Sequence, residues 1–518
     1  MDYLLKREMA PVKHKTFIKN AAIMTVTALI LRTIGIFFRI YMSNKIGAEG
    51  MGLYQLIFSI YVLGSTFATA GISTAVTRMI TDELVCGTKK SVLHILRRAM
   101  LISVLIGTAS MLLIYFLADP ISQYWIKDMR AAPALKILCP SLPCMGISSC
   151  LRGYFMARRK VSCSSNAQIV EQLVRIGIVM FLIDRFSAMG IAYACAAVMI
   201  GDTLAEFASC LYMAIGYLRD RRRLETHTQR PPRIVKGVFR RLMAIAAPIT
   251  AGRYLNTVLR TIENILVPDK LTDYTGSKTL SLSQFGMLKG MAMPLLFFPS
   301  SFLSTLSTLL IPEISEAHTL NKAAKVERMV NHTLHITLTL SILISGIFLL
   351  FSREIGMLVY QSEEVGFFML VLAPLMPAMY VESVVDGILK GMNQQGSSLR
   401  YSVLDSVVRI ILIFVIVPLR GMEGFLFVMV VSNLLTAGLN IHRLLEVTGV
   451  HIRWGQWIFK PALAMATAGA LSMLCTRFLP LQGLPLTCIS AVLALIVYAV
   501  LLSALGCVTR EDLHLIKN

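Results

Sequence analysis

Fourteen predominantly apolar stretches recur along this chain, each near the 20 or so residues that a helix needs to cross about 30 Å of hydrocarbon. They fall approximately at 17–42, 51–77, 95–118, 133–157, 163–184, 188–218, 239–266, 281–311, 329–352, 365–389, 398–418, 422–445, 458–477 and 484–507. In lipid a backbone amide has no water to bond, so stretches of this kind are confined to α-helices. The expected fold class is an all-α polytopic membrane protein with about fourteen transmembrane helices. Composition agrees: 56% of the 518 residues are hydrophobic and only 15% are charged, where ordinary globular domains are about a quarter charged. The connectors leave no room for a soluble domain. The first apolar run is long and lacks a small-residue cleavage site after it, so it reads as an uncleaved first helix.

The net charge of +21 is mainly a topology signal. Lysine and arginine concentrate in the amino-terminal tail, in every second loop and in the carboxy-terminal tail. By the positive-inside rule both termini are expected in the cytoplasm. The densest cluster, "RDRRRLETHTQRPPRIVKGVFRR" at 219–241, lies halfway along, where a cytoplasmic linker between two halves belongs. Attraction to anionic lipid headgroups is its second consequence. No nucleic-acid partner is expected, because no soluble binding module accompanies the basic residues.

The two halves also resemble each other. A shift of 234 positions pairs Pro140 with Pro374, Pro143 with Pro377, Gly153 with Gly387, Ser164 with Ser398, Glu171 with Asp405, Arg175 with Arg409 and Gly190 with Gly424. With gaps, Arg32 and Arg39 in span 1 correspond to Arg253 and Arg260 in span 7. Two copies of six spans plus two further helices is the simplest parse, and an even number of spans gives the copies the same orientation. The expected domains are a six-helix lobe at 1–218, a basic linker at 219–238, a second six-helix lobe at 239–446, and two added helices with the tail at 447–518.

Charge inside the spans is expensive, at least about 2.5–3.5 kcal/mol per residue at the bilayer centre, so each such residue faces a partner or water. Arg32 and Arg39 stand seven apart, as do Arg253 and Arg260, and two helical turns put each pair on one face. No acid lies three or four residues from Arg32 or Arg253, whereas Glu263 follows Arg260 by three and is placed to neutralise it. Arg39 also has a plainer reading, in which it snorkels out beside "MSNK". Glu171 with Arg175, and Asp405 with Arg409, have the spacing of internal ion pairs and suit packing or gating. Lys289, Glu382, Asp386, Asp202 and Glu206 also fall within spans, and Lys136 is close enough to a boundary to snorkel.

If the first helices of the two halves face each other, four arginines would line a cationic cavity. Guanidinium grips phosphate through two parallel hydrogen bonds, so the natural client is an amphiphilic anion such as a lipid phosphate or diphosphate. An exporter of organic cations would present acids and aromatics instead. No phosphate-binding glycine loop, nucleophile elbow or HExxH motif occurs, so no enzymatic activity is expected. The ten cysteines show no CxxC pair and read as small packing residues, not metal ligands. No cofactor is expected. Energy for transport would come from a coupling ion, Na+ or H+, from the membrane potential, or from the downhill fate of the substrate.

"RTIGIFFRIYMSNKIGAEGMGLYQLIFSIY" and "TAGISTAVTRMITDE" closely resemble the first two helices of the stage V sporulation protein B group of polysaccharide exporters, and "LIPEISEA" at 310–317 and "GILKGMNQQGSS" at 387–398 resemble later pieces of it. That group belongs to the multidrug, oligosaccharidyl-lipid and polysaccharide exporter superfamily, which also contains the bacterial lipid II flippase. The resemblance implies two six-helix lobes in a V, two additional carboxy-terminal helices and a central cationic cavity that alternates between the membrane faces. Its Arg-x-x-Gly element falls on Arg32 and Gly35, and its second arginine on Arg39. These, with Arg253, Arg260 and Lys289, would hold the diphosphate of an undecaprenyl-diphosphate-linked sugar. The chain departs from the lipid II flippase on the eighth helix, where Met293 takes the place of a cation and Lys289 stands a turn earlier. Glu263 and Asp405 would be the carboxylates for a coupling ion.

The expected function is a flippase that moves a lipid-linked saccharide across the bacterial cytoplasmic membrane, most simply a lipid II-type peptidoglycan precursor, including one for spore cortex. Its partners would be that lipid, membrane lipids and cell-wall synthases. The rivals are a cation-coupled drug exporter of the same fold and a non-transporting scaffold for cell-wall synthases. The topology is checked by thiol labelling of intact cells in a background without native cysteines. Gln123→Cys, in an outer loop, is expected to react with a membrane-impermeant reagent and Thr228→Cys, in the linker, to be shielded; the opposite pattern would invert the orientation.

Overall fold

The computed structural model describes residues 14–69, 71–86, 88–222, 237–450, 453–476 and 484–507; most of the linker read at 219–238 lies outside them. The described residues are helical almost throughout. In chain order the helices are α1 (His14–Thr69), α2 (Ile72–Cys86), α3 (Lys89–Pro120), α4 (Ala131–Leu138), α5 (Ser141–Ala157), α6 (Val161–Ser187), α7 (Ile191–Arg222), α8 (Val238–Thr275) and α9 (Lys278–Phe285). They continue as α10 (Met293–Phe297), α11 (Ser300–Thr319), α12 (Ala323–Tyr360), α13 (Glu363–Leu372), α14 (Met376–Gly391), α15 (Gln395–Thr448), α16 (Lys460–Thr476) and α17 (Leu484–Ala504). A π-helical stretch, Gly286–Ala292, joins α9 to α10.

Ten helical stretches among the described residues are long and apolar enough to cross a membrane, and the chain is a multi-pass membrane protein. The fourteen spans read from the sequence map onto this set unevenly, for physical reasons. Spans 1 and 2 run together in α1, and spans 11 and 12 in α15. Each merged helix is broken by one glycine at positive φ, Gly47 at 71° and Gly421 at 59°, a conformation in which a side chain would be strained. Span 7 falls on α8, where Arg253, Asn256, Thr257 and Arg260 dilute the apolar character, span 8 is broken among α9, the π-helical stretch, α10 and α11, and neither is among the ten.

Proline marks the breaks that the repeat foretells. Pro140 separates α4 from α5, and Pro374 lies in the 3-10 turn Ala373–Leu375 between α13 and α14. Helix starts are closed by hydroxyl caps, with Ser277 accepting from the Leu280 amide and Ser362 from the Val365 amide.

The chain divides into two compact units, one of residues 1–38 and 56–261, the other of residues 39–55 and 262–518. The divisions cut through α1 and α8, so each half of the sequence lends a piece of its first helices to the unit built mainly from the other half. In the first unit small residues let helices approach closely, as membrane packing requires. A Cβ added to Gly146 would lie 2.8 Å from the Ser103 carbonyl oxygen, and one added to Gly153 would lie 2.6 Å from that of Ser73. Around these contacts Ile72, Val76, Leu96, Tyr154, Phe155 and Met213 form a continuous buried core.

The second unit is tightest at the π-helical stretch. A Cβ on Gly286 would fall 2.0 Å from the Ala48 carbonyl oxygen, and one on Gly52 would fall 2.1 Å from that of Leu282. The last two helices pack against α12: the Tyr498 hydroxyl donates to the Thr339 carbonyl at 2.8 Å, and Met465 fills the space beside Gly346. Their other faces expose Leu463, Val492, Ile496 and Val500.

Gly286→Ala is expected to lower thermal stability, because the obstructing atoms are backbone and overpacking of this kind typically costs about 1–3 kcal/mol. Gly177→Ala in α6 meets open space and is expected to be neutral. Melting curves in detergent compare the two, and equal melting temperatures would contradict the close approach.

Candidate functional site

The intramembrane charges fall into three groups. The first lies in the second unit, where α8, the π-helical stretch and α15 converge on Glu263. Its carboxylate accepts from Lys289 Nζ at 3.0 Å and from Arg409 Nη1 at 3.1 Å. Arg409 also donates through Nη2 to Asp405 at 2.5 Å and through Nε to the Ser432 hydroxyl at 2.7 Å, and Ser432 in turn donates to Asp405. The Lys289 ammonium stands 5.7 Å from the Phe425 ring centroid. Glu263 and Asp405 are only 4% and 5% exposed. Two carboxylates thus meet two cations, and the group is neutral inside the hydrocarbon, the condition under which buried charge is tolerated.

The sequence places Lys289 with the cavity arginines and Arg260 as the neutraliser of Glu263. The structure pairs Lys289 with Glu263 and leaves Arg260 out of that network. A π-helical stretch is an uncommon form that recurs at functional positions, and here it carries Lys289 back to Glu263 of α8, 26 residues earlier.

The second group lies in the first unit. Arg175 Nη2 donates to Glu171 at 3.0 Å, the i,i+4 pair expected from the spacing. Its Nη1 donates to Gln172, and its Nε lies 2.5 Å from Asp202 on α7, an ion contact without hydrogen-bond alignment. In both halves, therefore, the repeated arginine holds the acid one turn before it and reaches onto the following helical segment, to Asp202 in one copy and Ser432 in the other. Asp202 and Ser432 lie beyond the reach of local spacing, because their partner stands on another helical segment; the signal for Asp202 was its place four residues before Glu206 within a span.

The third group consists of the arginines of the first helices. Arg253 and Arg260 are exposed on α8, and among the described residues neither side chain makes a salt bridge. Arg32 is exposed on α1, in the same unit as Arg253 and Arg260. Arg39 is half-buried in the other unit and acts electrostatically on Tyr360, whose hydroxyl donates to the Met291 carbonyl at 3.1 Å. An arginine exposed on a membrane helix is stable only against water or an anion. Among the described residues the structure thus separates Arg175, Lys289 and Arg409, held in salt bridges, from Arg253 and Arg260, which are exposed on α8 and make none.

A multi-pass chain whose described residues are helical almost throughout, with breaks at repeated prolines and charges paired within its spans, has the architecture of a membrane transporter. Residues 17–318 match the family described as polysaccharide biosynthesis protein, and the chain belongs to that family. Residues 288–415 also match the family named MatE. The chain is 27% identical to stage V sporulation protein B of Bacillus subtilis (strain 168) over 442 residues, 85% of each. It is 22% identical to the lipid II flippase MurJ of the same organism, over 79% of this chain and 78% of the relative. Its fold matches that of a lipid II flippase MurJ in an inward closed conformation, with a TM-score of 0.69 and 13% identity over 93% of this chain and 98% of the other. An inward-facing MATE family transporter of the MOP superfamily shares the fold with a TM-score of 0.64 and 14% identity, over 83% of this chain and all of the other. The resemblance read from the first helices therefore extends through the chain: it is a polysaccharide exporter-type membrane protein related to the lipid II flippase.

Removing one partner from a buried ion network leaves the other charge stranded, at about 3–5 kcal/mol. Arg409→Ala is accordingly expected to unfold or grossly destabilise the protein, and Arg409→Ala combined with Asp405→Ala to recover part of the loss. Yield and melting temperature after purification measure both. A single variant as stable as the wild type would show that the network carries no such burden.

Proposed function

We propose that the chain is a flippase that moves an undecaprenyl-diphosphate-linked saccharide, most simply a lipid II-type precursor, from the inner to the outer leaflet of the cytoplasmic membrane by alternating access. The observation that carries this reading is the outward-facing arginine set: Arg253 and Arg260 lie exposed on a membrane helix without a salt bridge among the described residues, while Arg175, Lys289 and Arg409 are held by carboxylates. Exposed guanidinium groups without a carboxylate partner suit a client with two phosphates, because each phosphate accepts bidentate hydrogen bonds. Arg32, in the same unit, would engage the same diphosphate.

The names of the relatives support this direction, one being a lipid II flippase and another a stage V sporulation protein. The exposed apolar faces of α16 and α17 supply a surface along which a polyprenyl tail stays in hydrocarbon while its head crosses. Drug export, which the MATE fold also serves, fits less well, since cationic drugs are repelled by the same arginines.

In proteoliposomes, translocation of a lipid-diphosphate saccharide is expected to fall at least tenfold in Arg32→Ala and in Arg253→Ala, since a hydrogen bond between charged groups is worth about 1.5–3 kcal/mol. Undiminished transport by both folded variants would rule out the arginine set as the diphosphate site.

A further inference from the structure

The two buried charge clusters differ in their balance, and the difference assigns a second role. In the second unit, Glu263 and Asp405 are matched by Lys289 and Arg409. In the first unit, Glu171, Asp202 and Glu206 face Arg175, with Arg152 of α5 within electrostatic range but not ion-paired among the described residues. Three carboxylates against two guanidinium groups leave one negative charge without a counter-ion inside a membrane protein, at a cost of several kcal/mol if it stays ionised.

Glu206 is where that excess sits. It is 6% exposed, and among the described residues its carboxylate accepts no hydrogen bond, with Oε2 fully buried and unpartnered. Asp202, one turn earlier on α7 and 5% exposed, has a buried and unpartnered Oδ2. Within electrostatic range of Glu206 are Tyr61 of α1, Cys144 and Arg152 of α5, Glu171 and Arg175 of α6, and Asp202 of α7, with Cys210 one turn further along α7.

We infer that Glu206, backed by Asp202, is a proton-binding site of the first unit, and, resting on the transport reading above, that its proton is the coupling ion. A metal cation would need several oxygens directed at one point. The described residues contain no group of three or more acidic, histidine or cysteine side chains so disposed. A proton needs one oxygen. It binds as carboxylate and proton combine to the neutral acid. It leaves to water when the site opens to the aqueous side, where solvent answers the negative charge that the two guanidinium groups leave unmatched.

Infrared difference spectra of the purified full-length chain in lipid, recorded as pH is raised, test the site. The wild type is expected to lose one carboxylic acid carbonyl band. That band should be missing in Glu206→Gln and displaced in Glu206→Asp, which keeps a titratable group and guards against a folding artefact. The same band at the same pH in folded Glu206→Gln would overturn the site. In proteoliposomes with a lipid-diphosphate saccharide and an imposed pH gradient, the wild-type rate is expected to follow the gradient and that of Glu206→Gln to ignore it. A gradient response shared by both would overturn the coupling while the flippase reading stands. Loss of the band without saccharide movement in any variant would uphold the proton site and remove the flippase reading.

Discussion

Everything in this molecule depends on the refusal of hydrocarbon to hold an unbalanced charge. A chain built almost wholly from membrane helices can carry an arginine or a carboxylate only where another charge, a proton or water answers it. The Glu263, Lys289, Asp405 and Arg409 set meets that demand within the protein, and it ties α8, the π-helical stretch and α15 together across well over a hundred residues of sequence. Arg253 and Arg260, exposed on α8, make no salt bridge among the described residues, so their presence implies an aqueous or anionic environment outside the protein's own side chains.

Much of this was legible in the sequence. Helix placement followed from apolar run length, and the acid-x-x-x-arginine elements became the ion pairs Glu171 with Arg175 and Asp405 with Arg409, because i,i+4 spacing fixes geometry without tertiary information. Pro140 and Pro374 fell at helix breaks, since proline removes a backbone donor wherever it stands.

What the sequence hid was pairing between helices. Glu263 has Arg260 three residues away, but the buried carboxylate is held by Lys289 and Arg409 while Arg260 faces outward. The π-helical stretch that aims Lys289 leaves no mark in hydropathy. Asp202 could be seen as an intramembrane acid but not as the second partner of Arg175, and the isolation of Glu206 is visible only once its neighbours are in place. The division of α1 and α8 between two compact units was similarly out of reach, because nothing in a continuous apolar helix says where its contacts change.

The central claim is that the arginines on α8 face water and meet an anionic lipid head. Thiol accessibility at those positions addresses it most directly. In vesicles and a background free of native cysteines, Arg253→Cys and Arg260→Cys should react with a membrane-impermeant reagent and be protected by a lipid diphosphate, whereas Leu105→Cys, on an exposed apolar face of α3, should react only with a reagent that partitions into lipid. Arginine positions as shielded as Leu105 would place them in hydrocarbon and contradict the claim.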